Sequence, residues 1–138
     1  MPMHFKIITP LRTALEAEVL GVKLPGTDGE MEVMPGHTGI ITSVANGELV
    51  YRPAAGEPVS LFVGGGFLQV ENDNVLLVTD TAVSAGEIDT DSVGEAVERA
   101  QKALREKASV LSREELVYLE AAIAKQMAML EYRKHHRK

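Results

Sequence analysis

The sequence predicts an α+β protein in which a small β-sandwich, residues 1–86, is followed by an antiparallel helical hairpin, residues 87–138. In the first part, turn-forming residues recur at roughly 8–12-residue intervals between short β-branched segments, which is typical of a sandwich or barrel. In the second part, apolar residues repeat with helical spacing and proline is absent. These observations place the change of structure near residue 87.

Short apolar segments in the first part predict strands. Three of them are residues 5–8, 19–24 and 75–78. The clusters between them are rich in Gly, Pro and Asn, which adopt the backbone conformations that tight turns need. Asn46-Gly47 predicts a tight hairpin between residues 42–44 and 49–51, because both residues tolerate positive φ.

Two helices follow, each with its own start signal. Asp89 is the predicted N-cap of the first helix, and Ser112 with Glu115 fits a capping box that starts the second. The predicted buried stripe of the first helix consists of Val93, Ala96, Val97, Ala100, Ala103, Leu104 and Ala108. That of the second consists of Leu116, Leu119, Ile123, Met127 and Leu130. Because both stripes hold few large side chains, the hairpin is expected to be marginally held and to act as a movable arm.

Composition and charge exclude several classes of protein. The chain of 138 residues has no cysteine, which excludes disulfides and thiolate zinc sites. Residues 1–86 carry four basic and ten acidic groups, so this part would repel nucleic acid. No apolar run approaches the roughly 20 residues of a membrane span, and no signal-peptide pattern is present. We therefore expect a soluble, cytoplasmic protein.

Possible sites of chemistry have structural explanations of equal or greater weight. The run Gly64-Gly65-Gly66 lacks a P-loop lysine and a following helix, so a bulge or close backbone approach is favoured over phosphate binding. His37 has no evident partner, and His135-His136 has no third ligand that would complete a metal site. No residue spacing indicates nucleophilic catalysis, so neither an active site nor a metal site is predicted.

Several segments together resemble the epsilon subunit of F-type ATP synthases, of the bacterial and chloroplast type. They are LPGTDGE at 24–30, VMPGHTG at 33–39, GGGFLQV at 64–70, NVLLVTDTA at 74–82 and EID at 87–89. The resemblance covers the whole chain, and it is most specific in the sandwich half. It implies a ten-stranded β-sandwich followed by a two-helix hairpin, and a non-catalytic rotor subunit on the cytoplasmic face of the cell membrane.

The resemblance also implies partners and a regulatory role. In that family the sandwich joins the gamma subunit and the c-subunit ring, and the helices reach the alpha and beta subunits and inhibit ATP hydrolysis. Arg133, Lys134, Arg137 and Lys138 would then dock on an acidic loop of the beta subunit. The alternative for these four residues is a solvated, fraying tail. Met31, Val33, Met34, Ile40 and Ile41 are candidates for a partner surface, with the sandwich core as the equal alternative.

Some family members bind ATP on the hairpin through an Ile/Leu-Asp-x-x-Arg-Ala motif. The matching residues are Ile88 and Asp89, with Arg99 and Lys125 as further candidates, whereas Ser92 and Val93 replace the motif's Arg and Ala. Because serine cannot replace a bidentate guanidinium, the sequence predicts no cofactor and at most weak regulatory ATP binding. An autonomous ATP sensor is the alternative function, and a small hydrolase or sugar-binding sandwich is the third.

Overall fold

The first part of the chain folds as β-strands wrapped around one apolar core. In the computed structural model, which describes residues 2–36 and 39–136, the chain forms two units, Met1–Ser84 and Ala85–Lys138. The first unit contains nine strands: β1 Met3–Ile8, β2 Thr13–Gly26, β3 Gly29–Val33, β4 Ile40–Val44, β5 Gly47–Pro53, β6 Val59–Val63, β7 Gly66–Glu71, β8 Asn74–Thr79 and β9 Ala82–Val83. The second contains a short 3₁₀ turn, Ala85–Glu87, and the helices α1 Thr90–Lys107 and α2 Arg113–His135.

The described residues form nine strands where ten were expected, because the long strand β2 pairs with different neighbours along its length. The strand order is β1-β8-β7-β4-β2-β5-β6-β9, with β3 also paired to β2 and with β1 joined to β2 as well as to β8. The first half of β2 pairs with β1, and its second half pairs with β3 and β5. One continuous strand therefore serves both layers of the sandwich.

Alternation of side chains along the strands builds the core. In β1 every second residue, Met3, Phe5 and Ile7, is fully buried. The rings of Phe5 and of Tyr51 in β5 pack edge to face, with 5.9 Å between centroids. The buried hydroxyl of Thr79 donates a hydrogen bond of 2.8 Å to the Gly64 carbonyl, so no polar group is left unpaired there. The three predicted strand segments all lie within strands.

The hairpin predicted at Asn46-Gly47 is wrong. Strands β4 and β5 flank these residues, but β2 lies between them: β4 pairs with β7 and, at Val44, with β2, whereas β5 pairs with β2 and β6. The Asn46 side-chain carbonyl accepts a 2.9 Å hydrogen bond from the Gly65 amide instead. The segment is thus a corner between two strands that lie on either side of β2. A tight turn does join β7 to β8, where Asn72 and Asp73 both have positive φ.

The helical unit forms as its sequence signals predict. Asp89 caps α1, and Ser112 and Glu115 make the reciprocal bonds of a capping box at the start of α2. The two helices are connected by a short segment and pack against one another as a hairpin. Within the described ranges, neither helix has an apolar stretch long enough to cross a bilayer.

The predicted helix stripes are only partly correct. In α1 Val97 is buried and the other stripe residues are half-buried, except Ala108 at the exposed C-cap. In α2 Ile123 is buried as expected, but Met127 is 50% exposed, and Met129 and Tyr132 are buried instead. Residues 127 and 129 lie about 200° apart around a helix axis. The prediction that Met127 faces inward is therefore wrong, and Met129 takes the buried position.

Candidate functional site

The four residues predicted to bind a nucleotide are spread along the helical unit. The Asp89 Oδ1 atom accepts the capping bonds from the amides of Asp91 and Ser92, at 3.1 and 3.2 Å. Ile88 is buried, and Arg99 is exposed ten residues further along the chain. This separation corresponds to about 15 Å along α1. Asp89 and Arg99 are therefore not brought together, and Oδ1 of the Asp89 carboxylate is occupied by the helix cap.

Lys125 is the fourth nucleotide candidate and lies in the middle of α2. Its side chain is half-buried, and it makes interactions within the chain. Its neighbour a turn later, Met129, is buried and apolar. Lys125 therefore offers a phosphate one point charge, whereas the apolar Met129 cannot supply the bidentate contact of an arginine.

The basic end of α2 combines exposed and partly covered cations. Lys134 is exposed, whereas Arg133 is half-buried and its Nε is buried without a hydrogen-bond partner. The imidazole Nδ1 atoms of His135 and His136 lie 3.0 and 2.8 Å from the carbonyls four residues earlier. Arg137 and Lys138, the other two docking candidates, lie outside the described residues. Among the described residues, no cluster of three acidic or histidine side chains is arranged to hold a metal.

The glycine run before β7 lets two segments of backbone approach closely. A Cβ at Gly66 would run into the carbonyl oxygen of Val78, and one at Gly65 would lie 3.2 Å from the carbonyl oxygen of Val44. Side chains at these positions would push the strands apart. The interpretation as a close backbone approach is confirmed. The histidine considered with it, His37, lies outside the described residues.

One face of the sandwich exposes large apolar side chains. Phe67 of β7 lies directly opposite Val78 of β8 in the antiparallel register, and Ile41 lies on the same side of β4. These three side chains are 65%, 45% and 77% exposed, respectively. We call them the apolar sheet face. Ile41 is diagonal to Phe67, since it pairs with Gln69. Scattered exposed apolar residues are ordinary, but neighbouring ones on one face of a sheet are typical of a partner surface.

The sequence candidates for a partner surface divide between the core and the outside. Val33 is buried, and Met31 and Ile40 are partly buried and pack against the core. Ile41 and Met34 are exposed. Sequence reasoning missed Phe67 and Val78, although the alternation of β7 and β8 with buried Leu68 and Leu77 marks them as outward-facing.

Comparison with known proteins identifies the family. The family model described as ATP synthase, Delta/Epsilon chain, beta-sandwich domain matches residues 2–85. The chain is 35% identical over 128 residues to the ATP synthase epsilon chain of Moorella thermoacetica, covering 93% of each. It is 31% identical over 131 residues to that of Nitratidesulfovibrio vulgaris, covering 95% of each.

A solved structure shares the fold. A chain in the cryo-EM structure of the Euglena gracilis mitochondrial ATP synthase, comprising OSCP, F1 and the c-ring, superimposes with a TM-score of 0.74. It is 23% identical, and the match covers 98% of this chain and 82% of that one. The epsilon chains resemble this protein over both the sandwich and the helices. The chain therefore belongs to the ATP synthase delta/epsilon-chain family.

Proposed function

We propose that the chain is a central-stalk subunit of a proton-translocating F-type ATP synthase and that it transmits torque without catalysing a reaction. Its sandwich contacts the gamma subunit and the c-subunit ring, so that the chain lies at the cytoplasmic face of the cell membrane through the complex. The helical hairpin inhibits ATP hydrolysis in the head. The observation that carries this proposal is the apolar sheet face.

The apolar sheet face supports a permanent partner for three reasons. Phe67, Val78 and Ile41 are held by neighbouring strands, so little side-chain or backbone order has to be gained on binding. A rigid aromatic residue among aliphatic neighbours is typical of the residues that dominate binding free energy. Solved assemblies that contain a chain of this fold include a c-ring and a central stalk, which agrees with a stalk partner for this protein.

Co-expression with gamma tests the stalk assignment. We expect the full chain to co-purify with gamma in a one-to-one ratio, and a variant with serine at Phe67 and Ile41 to be lost from the complex. Replacement of Val110 by serine is the matched control, because Val110 is 78% exposed but lies in the segment connecting the helices. A full chain that elutes alone would contradict the proposal.

The hairpin supports inhibition because it is a separate unit with a basic end. Few of its large side chains are buried: Ile88, Val97, Ile123, Met129 and Tyr132. Hydrogen exchange should therefore show faster amide exchange in residues 90–135 than in the strands. Equal protection in both units would argue against a movable arm.

The basic end provides a direct test of inhibition. Alanine at Lys134, Arg137 and Lys138 should raise ATP hydrolysis by the reconstituted enzyme about two- to tenfold, since each surface ion pair contributes about 0–1 kcal/mol. The variant Lys134→Arg, Arg137→Lys, Lys138→Arg keeps the charges and should remain inhibited. Arg133 is replaced separately because it is half-buried. Equal hydrolysis by the alanine variant and the parent would exclude charge docking.

For ATP we propose at most weak binding to the hairpin. Asp89 is committed to its cap, and Arg99 lies far from it along α1. Titration calorimetry of the full chain with Mg-ATP should therefore give no micromolar binding. Micromolar binding that is lost on replacing Arg99 would favour the alternative, an ATP sensor.

A further inference from the structure

A groove on the outside of the sandwich gathers charged residues that the stalk assignment does not use. It has a volume of about 200 Å³ and lies within the first unit. Its walls come from β2, β3, β5 and the segment before β6, and the lining residues are Gly21, Lys23, Glu32, Val50, Arg52 and Pro58.

Strand register places these side chains on one face. Gly21 pairs with Arg52, and Lys23 pairs with Val50 on one side and with Glu32 on the other. Directly paired residues project to the same side of a sheet. The groove is therefore a product of the ladder itself, and its two cations are carried by neighbouring strands.

Gly21 creates the space that Arg52 occupies. A Cβ at Gly21 would lie 2.5 Å from Nη2 of Arg52 and 3.2 Å from Cζ, so the guanidinium lies directly over the glycine. The same Nη2 lies 3.4 Å from the Met34 sulfur and 3.8 Å from a Glu32 carboxylate oxygen. The Arg52 side chain is 45% exposed, so the rest of its guanidinium is open to a partner.

The charge of the first unit makes this placement unusual. Residues 1–86 carry only four basic side chains against ten acidic ones, and Lys23 and Arg52 are two of the four. The Glu32 carboxylate lies 3.8 Å from Arg52 Nη2, and it repels a dianion such as phosphate about twice as strongly as a singly charged carboxylate. Val50 and Pro58 add apolar walls that suit methylene groups. A single carboxylate on a short aliphatic stem fits these conditions.

We propose that this groove binds a carboxylate, which an acidic side chain of the gamma subunit supplies. The exposed part of the Arg52 guanidinium accommodates the carboxylate, and Lys23 adds a second positive charge. The identity of the partner rests on the proposed stalk function. The carboxylate site itself does not, because it is a property of the isolated chain.

The first experiment uses propionate, which reproduces the end of a glutamate side chain. Titrated into the full chain, propionate should shift the Arg52 Nε–H resonance saturably, and phosphate should shift it less. Gly21→Ala should abolish the shift, because the added Cβ displaces the flexible end of Arg52 without changing any charge. Arg12→Gln, which removes an exposed cation elsewhere in this unit, should leave it unchanged. A linear shift, or an equal shift in Gly21→Ala, would overturn the site.

The second experiment measures gamma binding by the same variants. Gly21→Ala and Arg52→Gln should bind gamma roughly tenfold more weakly, as expected for the loss of a charge-assisted hydrogen bond, and Arg12→Gln should bind normally. If propionate binds but gamma affinity does not change, the groove serves a free carboxylate and the gamma assignment is wrong. If the parent chain does not bind gamma at all, the proposed stalk function is wrong. The propionate titration then remains the test of the carboxylate site.

Discussion

Replacement of Phe67 by serine tests the apolar sheet face most directly. The Phe67 side chain is 65% exposed in the isolated chain, and it lies beside Val78 on the adjacent strand. Burying a whole phenylalanine removes about 150–250 Å² from water, so covering the exposed part removes about 100–160 Å². At about 25 cal/mol per Å², this area corresponds to an upper limit of about 2.5–4 kcal/mol.

The expected loss is smaller than this limit, because part of the area stays in contact with neighbours and the serine is hydrated. Truncation of interface anchors costs about 1–4 kcal/mol. We therefore expect Phe67→Ser to weaken gamma binding by about 1.5–3 kcal/mol, which is about 10- to 150-fold in Kd. Titration calorimetry of the full chain against purified gamma measures this change.

Two controls make the result interpretable. The free energy of unfolding, measured by thermal unfolding, should differ between Phe67→Ser and the parent by no more than about 0.5 kcal/mol, because Phe67 lies outside the core. Val110→Ser, which removes an equally exposed apolar side chain from the helix connection, should bind gamma normally. If Phe67→Ser binds gamma as tightly as Val110→Ser, the apolar sheet face is not the partner surface.

Three further predictions concern stability. Ser112→Ala should destabilise α2 by about 1 kcal/mol, measured as faster amide exchange in its first turns. Hydrogen bonds from the Ser112 backbone amide and, second, from its hydroxyl lower the pKa of Glu115. The stability of α2 should therefore fall as the pH drops below the ordinary value of 4.5. In an acid titration followed by circular dichroism, Glu115→Gln should lose less helix stability than the parent. Gly66→Ala should lower the melting temperature sharply, because the added Cβ meets the Val78 carbonyl. Gly94→Ala should raise it slightly, because Gly94 lies inside α1 with open space around it. Equal melting temperatures for the two variants would contradict the close-approach argument.

The candidate site shows where sequence reasoning stops. Asp89 was recognised both as a helix cap and as a nucleotide ligand, and only the hydrogen bonds show that the cap occupies its carboxylate. Ile41 is a surface candidate together with Val33, which is buried, and Ile40, which is partly buried, because a run of apolar residues does not reveal which side faces out. The groove at Arg52 was not predicted, since Gly21 and Arg52 are distant in sequence and meet only through the ladder.

The sequence alone was enough to predict the features that depend on residues close together in the chain. The strand segments, the helix caps at Asp89 and Ser112, and the change from strands to helices near residue 87 all follow from local backbone preferences and periodicity. Tertiary structure decided what depends on distant partners. Asn46-Gly47 became a corner because β4 and β5 pair with other strands, and Met129 was buried in place of Met127. The physical reason is that a turn is stabilised by its own residues, whereas burial and pairing are properties of whatever surface lies opposite.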